Sequence, residues 1–278
     1  MKRHTESLEE EILTRLYSGT RNVTELVEEI SYLKKVSLQG VYKALRQLRT
    51  EEVVIVHKHT ISLSMVWVVN EREKLLFAEE AHRSATYLED IRMGRQKRIK
   101  FTFRTLNEIE LFWTHSYLLL SEHIQNDVCS YVIHPHDWYM YVRYDTDAYW
   151  VKKHIESARV SRTILTHAGA LDRVVIRARK KKLGNLFEYT LGENPLGQKN
   201  TTYYNIIGAY IFTAHFDVHI EKELDTFIEK YETLPLSVES QKEIDHIVRM
   251  KGKFTLTIEK SEKKAEEMRR KVKKYFEF

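Results

Sequence analysis

The chain has 278 residues, 42% of them hydrophobic and 11% aromatic, with a formal charge of +5. That is enough apolar material for a real core in one or two domains, and it excludes a disordered or collagen-like polypeptide. The single cysteine, Cys129, excludes an intrachain disulfide and a thiolate zinc cluster, so a reducing, cytoplasmic setting is expected.

The opening "MKRHTESLEEE" lacks the apolar core of a leader, and no apolar run approaches the roughly 18–20 residues of a membrane span. No membrane partner is expected. Residues 8–17 space Leu8, Ile12, Leu13 and Leu16 on one helical face, and Ser18-Gly19 ends the helix. Asn22 stands three residues before Glu25, a capping-box spacing, and opens a second helix with Leu26, Val27, Ile30 and Leu33 inward. Ser37 caps a third helix, "LQGVYKALRQLR", with Leu38, Val41, Leu45 and Leu48 inward. "VVIVHKH" and "ISLSMVWVV" then read as a β-hairpin over 53–69, with a polar tip at 57–60.

Three helices and a hairpin in about seventy residues is the winged helix-turn-helix plan, whose third helix lies in the DNA major groove. The stretch 37–49 contains no carboxylate, which phosphate would repel. Its amides and cations match base edges: Gln pairs with adenine, Arg or Lys with guanine. Charge is polarised accordingly. Residues 1–33 hold four basic and seven acidic side chains, and residues 34–58 hold six basic and two acidic. Gln39, Lys43 and Gln47 are the expected base readers. Ser37, Tyr42, Arg46 and Lys58 are expected to hold phosphates, with His59 beside Lys58 at the hairpin tip. Gly40 is expected to let the backbone approach DNA.

Residues 71–91 read as a continuous helix with a seam at Leu75, Leu76, Ala78 and Ala81, continued by Leu88 and Ile91. Residues 92–104 follow with six basic residues and no acid, either a further phosphate contact or a solvated junction. From Phe101 onward the pattern changes. An apolar helix at 105–124, β material or a short strand plus turn at 128–135 and 138–144, a helix at 147–159, and a strand at 161–167 come in turn. Then follow 170–182, helical or mixed, a short strand at 188–193, two strands turning near Gly208, and a helix at 219–232. A helix from Ser240, a strand at 253–259 and a basic helix at 263–278 end the chain. Strands alternating with helices imply an α/β domain. The expected division is 1–70, a helical linker 71–100, and 101–278.

"SLQGVYKALRQLRTEEVVIVH" resembles the winged helices of TrmB-like and MarR-like transcriptional regulators. "SRTILTH" (161–167), "YYNIIGAYIFTAHFD" (203–217) and the helix through Tyr231 resemble the companion domain of TrmB-type regulators, which is similar to the phospholipase D fold. That resemblance implies an α+β chain whose second domain senses a small-molecule effector or dimerises. The phospholipase D chemistry itself requires a His with Lys at +2 and Asp at +7. None of the thirteen histidines has it; Glu221 stands at +2 from His219. Phosphodiesterase activity is therefore not expected.

Two other motifs offer ligands for a metal: "HPHD" (134–137) and "HFDVH", where His215, Asp217 and His219 would face one way on a strand. A strand-to-helix change between His215 and His219 breaks that alternation, so no metal is expected. "RARKKK" (177–182) and "MRRKVKK" (268–274) are dense in cations. They read as phosphate contacts or as solvated helix faces, with Met268, Val272, Tyr275 and Phe276 packing inward in the second case. Trp138, Tyr139, Tyr141, Tyr144, Tyr149 and Trp150 form an aromatic group read as core or interface. No P-loop, GxGxxG or serine elbow is present, and no cofactor is expected. The expected function is a sequence-specific transcriptional regulator that binds double-stranded DNA as a homodimer, paired through the helix at 71–91 or at 105–124. Two alternatives stay open: a nucleic-acid-processing enzyme targeted by the winged helix, and an antitoxin-type protein-interaction module.

Overall fold

Ser7 starts the first helix by a reciprocal cap. Its hydroxyl accepts from Glu10 N, and the Glu10 carboxylate accepts from Ser7 N, fixing α1 (Leu8–Leu16). Asn22 accepts from Thr24 N and Glu25 N at the head of α2 (Val23–Lys34), and Ser37 accepts from Gly40 N at the head of α3 (Leu38–Thr50). The three helices bury Ile12, Leu16, Leu26, Val27, Ile30, Val41, Leu45 and Leu48 against each other and against Ile61. Two of the residues expected inward are not: Leu33 is 50% exposed and Leu38 47%. Each sits in the outermost turn of its helix, beyond the reach of the facing helices.

In this computed structural model the residues described are 7–84, 88–122, 124, 129–142, 144–197 and 201–276. The chain divides into two units, Met1–Ala85 and Thr86–Phe278. In the first, β1 (Arg21–Asn22), β2 (Val54–His57) and β3 (Thr60–Leu63) form a small antiparallel sheet in the order β1-β3-β2. His57 pairs with Thr60, leaving Lys58 and His59 as a two-residue tip. The hairpin is shorter than the expected 53–69. Ser64 N closes it on Val53 O, and Ser64 O then accepts from Val68 N at 2.9 Å, so Ser64 opens α4 (Met65–Ser84). The serine sets a helix start that outweighs the β-prone "MVWVV" run. No described residue of α4 is buried, and Leu75, Leu76 and Phe77 are largely exposed. Residues 85–87, in the middle of the helix expected at 71–91, lie outside the described part. Leu88 and Ile91 belong instead to α5 (Leu88–Arg92) and are buried in the second unit.

The second unit continues with β4 (Arg98–Phe103), α6 (Leu106–Ser121), β5 (Ser130–His134), α7 (Tyr139–Val142) and α8 (Tyr144–Ser157). After these come β6 (Ser161–Leu165), α9 (Ala170–Leu183), β7 (Phe187–Leu191), β8 (Thr202–Ile207) and β9 (Tyr210–His215). The last elements are α10 (Val218–Lys230), α11 (Val238–Ile247), β10 (Phe254–Lys260) and α12 (Glu262–Lys273). The seven strands make one sheet, ordered β4-β10-β9-β8-β5-β6-β7. β5, β6 and β7 run parallel, joined through helices, as βαβ units require. The other neighbours are antiparallel; for β8 and β9 this follows from the tight turn at Gly208, which returns the strand beside itself. The whole chain is therefore α+β.

On one sheet face α12 lays Ala265, Met268 and Val272 against Tyr131, Ile133, Tyr204, Ile206 and Ile211. Arg269 on the same helix is tied to Glu262, Glu266 and the Gly208 carbonyl, so "MRRKVKK" packs as an amphipathic helix. The larger core lies with α6, α9, α10 and α11. Within the stretch 138–144, read above as β material, Tyr139–Val142 is helical and Tyr144 begins α8. Trp138 and Tyr141 are buried, as is much of Trp150, while the side chains of Tyr139, Tyr144 and Tyr149 lie outside the described part. Helix α6, the other dimer element considered, buries Leu106, Ile109, Trp113, Tyr117 and Leu120 in this core. Among the described residues, no helix is long and apolar enough to cross a membrane.

Candidate nucleic-acid interface and the polar centre of the second unit

On α3 the buried positions are Val41, Ala44, Leu45 and Leu48. The 3.6-residue period puts Gln39, Tyr42, Lys43, Arg46 and Gln47 on the opposite side, and all five are exposed, as is Ser37. Lys58 and His59 are exposed at the hairpin tip, where Lys58 adopts a left-handed φ of 53°. The tip is anchored, because His59 O accepts from Val23 N at 2.8 Å.

Other cations of the first unit are spent inside it. Buried Glu11 takes Lys34 at 2.8 Å and Arg15 at 3.0 Å, and Glu29 takes Arg21 at 2.7 Å. The hydrogen bond and charge of Lys34, working against burial and helped by Arg15, hold the Glu11 carboxyl below its ordinary range. Among the described residues, Lys43, Arg46, Arg49 and Lys58 make no ion pair. One expected base reader is engaged: Gln47 Nε2 donates to Glu51 Oε1 at 3.0 Å. The space for a Cβ at Gly40 faces Ser37 Oγ at 3.4 Å and Leu8 Cδ1 at 3.9 Å, ordinary contact distances. It points into the unit.

The basic stretches of the second unit are less free than they read in sequence. Arg92 pairs with Glu89 and Arg95 with Asp90, leaving Arg98 and Lys100 exposed along β4. In "RARKKK", Arg179 is half-buried and bridges Asp137 and Asp147, and Lys180 Nζ donates to Phe187 O at 2.7 Å. Arg179 turns inward because α9 packs that face against the sheet.

His215, Asp217 and His219 do not converge. His215 Nδ1 meets Thr202 Oγ1 at 3.1 Å, and Asp217 caps α10 by accepting from His219 N and Lys253 N, both at 3.0 Å. The "HPHD" motif leads to a polar centre instead. His134 Nε2 lies 2.8 Å from Asn205 Oδ1, and burial pushes its pKa down to about 3. His136 is held on both ring nitrogens, Nδ1 by Asp172 Oδ2 at 2.7 Å and Nε2 by Asp225 Oδ1 at 2.5 Å. Burial disfavours its charge, but the two carboxylates outweigh it and raise its pKa to about 9.

Asp172 is fixed in turn by Gly169 N and Asp137 N, at 3.1 and 2.8 Å. Gly169 itself is required, since a Cβ there would stand 2.7 Å from Ile228 Cγ2; its absence lets the start of α9 press on α10. Glu221, one turn before Asp225 on α10, accepts the Tyr203 hydroxyl at 2.9 Å, and burial raises its carboxyl to about 8. A cavity of about 160 Å³ borders this centre, lined by Trp113, Tyr117, Trp138, Trp150, His134 and Asn205 among others. Of these polar residues the sequence motif flagged His134, His136 and Asp137. Asp172, Glu221 and Asp225 carry no local signature, and only the i, i+4 spacing of Glu221 and Asp225 beside the apolar stripe of α10 hinted at a shared face.

No family model matches the chain, and no curated protein matches it. Among solved structures the chain is similar to an archaeal chromatin protein, TrmBL2, reported to show a novel mode of DNA binding. The TM-score is 0.32 at 13% identity, over 97% of this chain and 91% of that one.

Proposed function

We propose that the chain is a sequence-specific DNA-binding transcriptional regulator that acts as a homodimer. One observation carries the reading: the outer face of α3 presents Gln39, Lys43 and Arg46 to solvent with the cations unpaired, while the acids of the first unit hold Lys34, Arg15 and Arg21 elsewhere. Free cations beside the free amide of Gln39 suit phosphate and base edges together. In this reading α3 lies in the major groove, with Gln39, Lys43 and Gln47 on bases. Ser37, Tyr42, Arg46, Lys58 and His59 lie on the backbone, the last two from the anchored wing.

The exposed apolar side chains of α4 supply the dimer contact, because a lone solvated helix of this length is marginal in water. The second unit is the effector domain, its cavity taking a small molecule. No catalytic step is assigned to it, and the lone Cys129 suits the reducing cytoplasm.

The test is selection from a randomised duplex DNA library at moderate salt. An enriched inverted repeat with half-sites about one helical turn apart, or a multiple of that, supports the reading. A retained but unenriched pool, or no retention, overturns it.

A further inference from the structure

We propose that His136, Glu221 and Asp225 form a binding site for a divalent first-row transition-metal cation in the second unit, with Asp172 holding the imidazole from behind. The inference is independent of the DNA-binding reading. One ligand atom from each of the three residues lies within 4.8 Å of the others. Ligands around such a cation stand about 3–3.5 Å apart, so side-chain movement alone closes the set.

Three further observations point to a cation. The first is orientation. Asp172 Oδ2 accepts Nδ1–H of His136 and is itself held by two backbone amides, so Nε2 faces Asp225 Oδ1 at 2.5 Å, where an ion would take the place of the proton between them. That carboxylate–histidine pairing is the usual way a protein fixes the tautomer of a metal-bound imidazole. The second is an orphan: Glu221 is 4% exposed, its Oε1 takes the Tyr203 hydroxyl, and its Oε2 has no hydrogen-bond partner. A buried carboxylate oxygen left without a partner is costly, and a cation is the partner it lacks.

The third is charge. The carboxyl groups of Asp172, Asp225 and Glu221 gather around one imidazole, and the neighbouring guanidinium of Arg179 is already bridged to Asp137 and Asp147. One nitrogen and two carboxylate oxygens, without thiolate, suit zinc, manganese or iron(II) better than calcium, which needs six to eight oxygens. The Asp225 side chain is 37% exposed, so water and the ion reach the site past it.

The experiment uses the full chain, stripped with a chelator, then dialysed separately against Zn²⁺ and Mn²⁺. Metal is counted by plasma mass spectrometry, and Tm is read with and without each ion. The expected result is one equivalent of at least one ion per chain and a raised Tm. Asp225→Asn, at the half-exposed ligand, should bind that ion about tenfold more weakly or worse, while a His215→Ala/His219→Ala variant retains it. Absence of stoichiometric metal and of any Tm change in the wild-type chain overturns the proposal, whether or not Asp225→Asn folds. So does equal retention by wild type, Asp225→Asn and Glu221→Gln.

Discussion

The side-chain amide of Gln47 is bound to the carboxylate of Glu51, the residue that caps the C-terminus of α3. An expected base reader is thus tethered to an acid at the foot of its own helix. In the proposed complex, DNA would have to break that bond and also meet a negative charge near its phosphates. Glu51→Gln is therefore expected to bind duplex DNA about 2–5-fold more tightly, from the modest worth of one exposed charge. Fluorescence anisotropy at fixed salt measures it, and weaker binding by the variant would mean that Glu51 orients Gln47 rather than restraining it.

Lys43 and Lys58 should fail differently. Lys43→Ala is expected to relax base preference in the selected pool. Lys58→Ala is expected to weaken binding to all sequences alike and to flatten the log Kd against log salt plot by about 0.9. Identical behaviour of the two variants would contradict the assignment of α3 to bases and of the wing to phosphate.

Gly40→Ala adds a methyl toward Ser37 and Leu8, where there is room. It should raise stability by about 0.4–1 kcal/mol by restricting the unfolded chain. DNA affinity should stay unchanged, since the methyl points inward. A loss of affinity with intact folding would show instead that the backbone at this position needs a bare glycine against DNA.

Glu11 makes the first unit acid-sensitive. Its folded pKa lies below the unfolded value, so its contribution is complete above the ordinary carboxylate range and is lost as pH falls through the lowered folded value. Glu11→Gln should cost about 1 kcal/mol at neutral pH. Urea melts across an acid series should show the gap between wild type and variant closing as pH drops; a constant gap would assign the loss to packing alone.

Leu76→Glu on α4 should shift the protein toward monomer in sedimentation equilibrium, weakening self-association about tenfold or more, while circular dichroism stays unchanged. Charge placed in an apolar contact opposes its burial. An unaltered dimer would remove α4 from the interface.

The first unit was legible in sequence because its signals are local. Ser37, Asn22 and the helical spacing of Val41, Leu45 and Leu48 each act within a turn or two of themselves. The hairpin's end was misread because "MVWVV" favours strand in isolation, and the deciding group was the single Ser64 before it. In the second unit most strands were readable, but not their order. The polar centre was legible only at His134, His136 and Asp137. Its other members come from α9 and α10, and no spacing along the chain reports that Gly169 lets those helices touch.

Among the described residues, β4 has one neighbour in the sheet, β10. As the chain leaves the ribosome, residues 98–103 therefore stay unpaired until residues 254–260 have been made. Nearly the whole second unit must be synthesised before its first strand has a place to go, a long wait for a strand with open hydrogen-bonding edges. Arg98 and Lys100, exposed along that strand, carry the kind of charge that discourages such an edge from pairing with another chain.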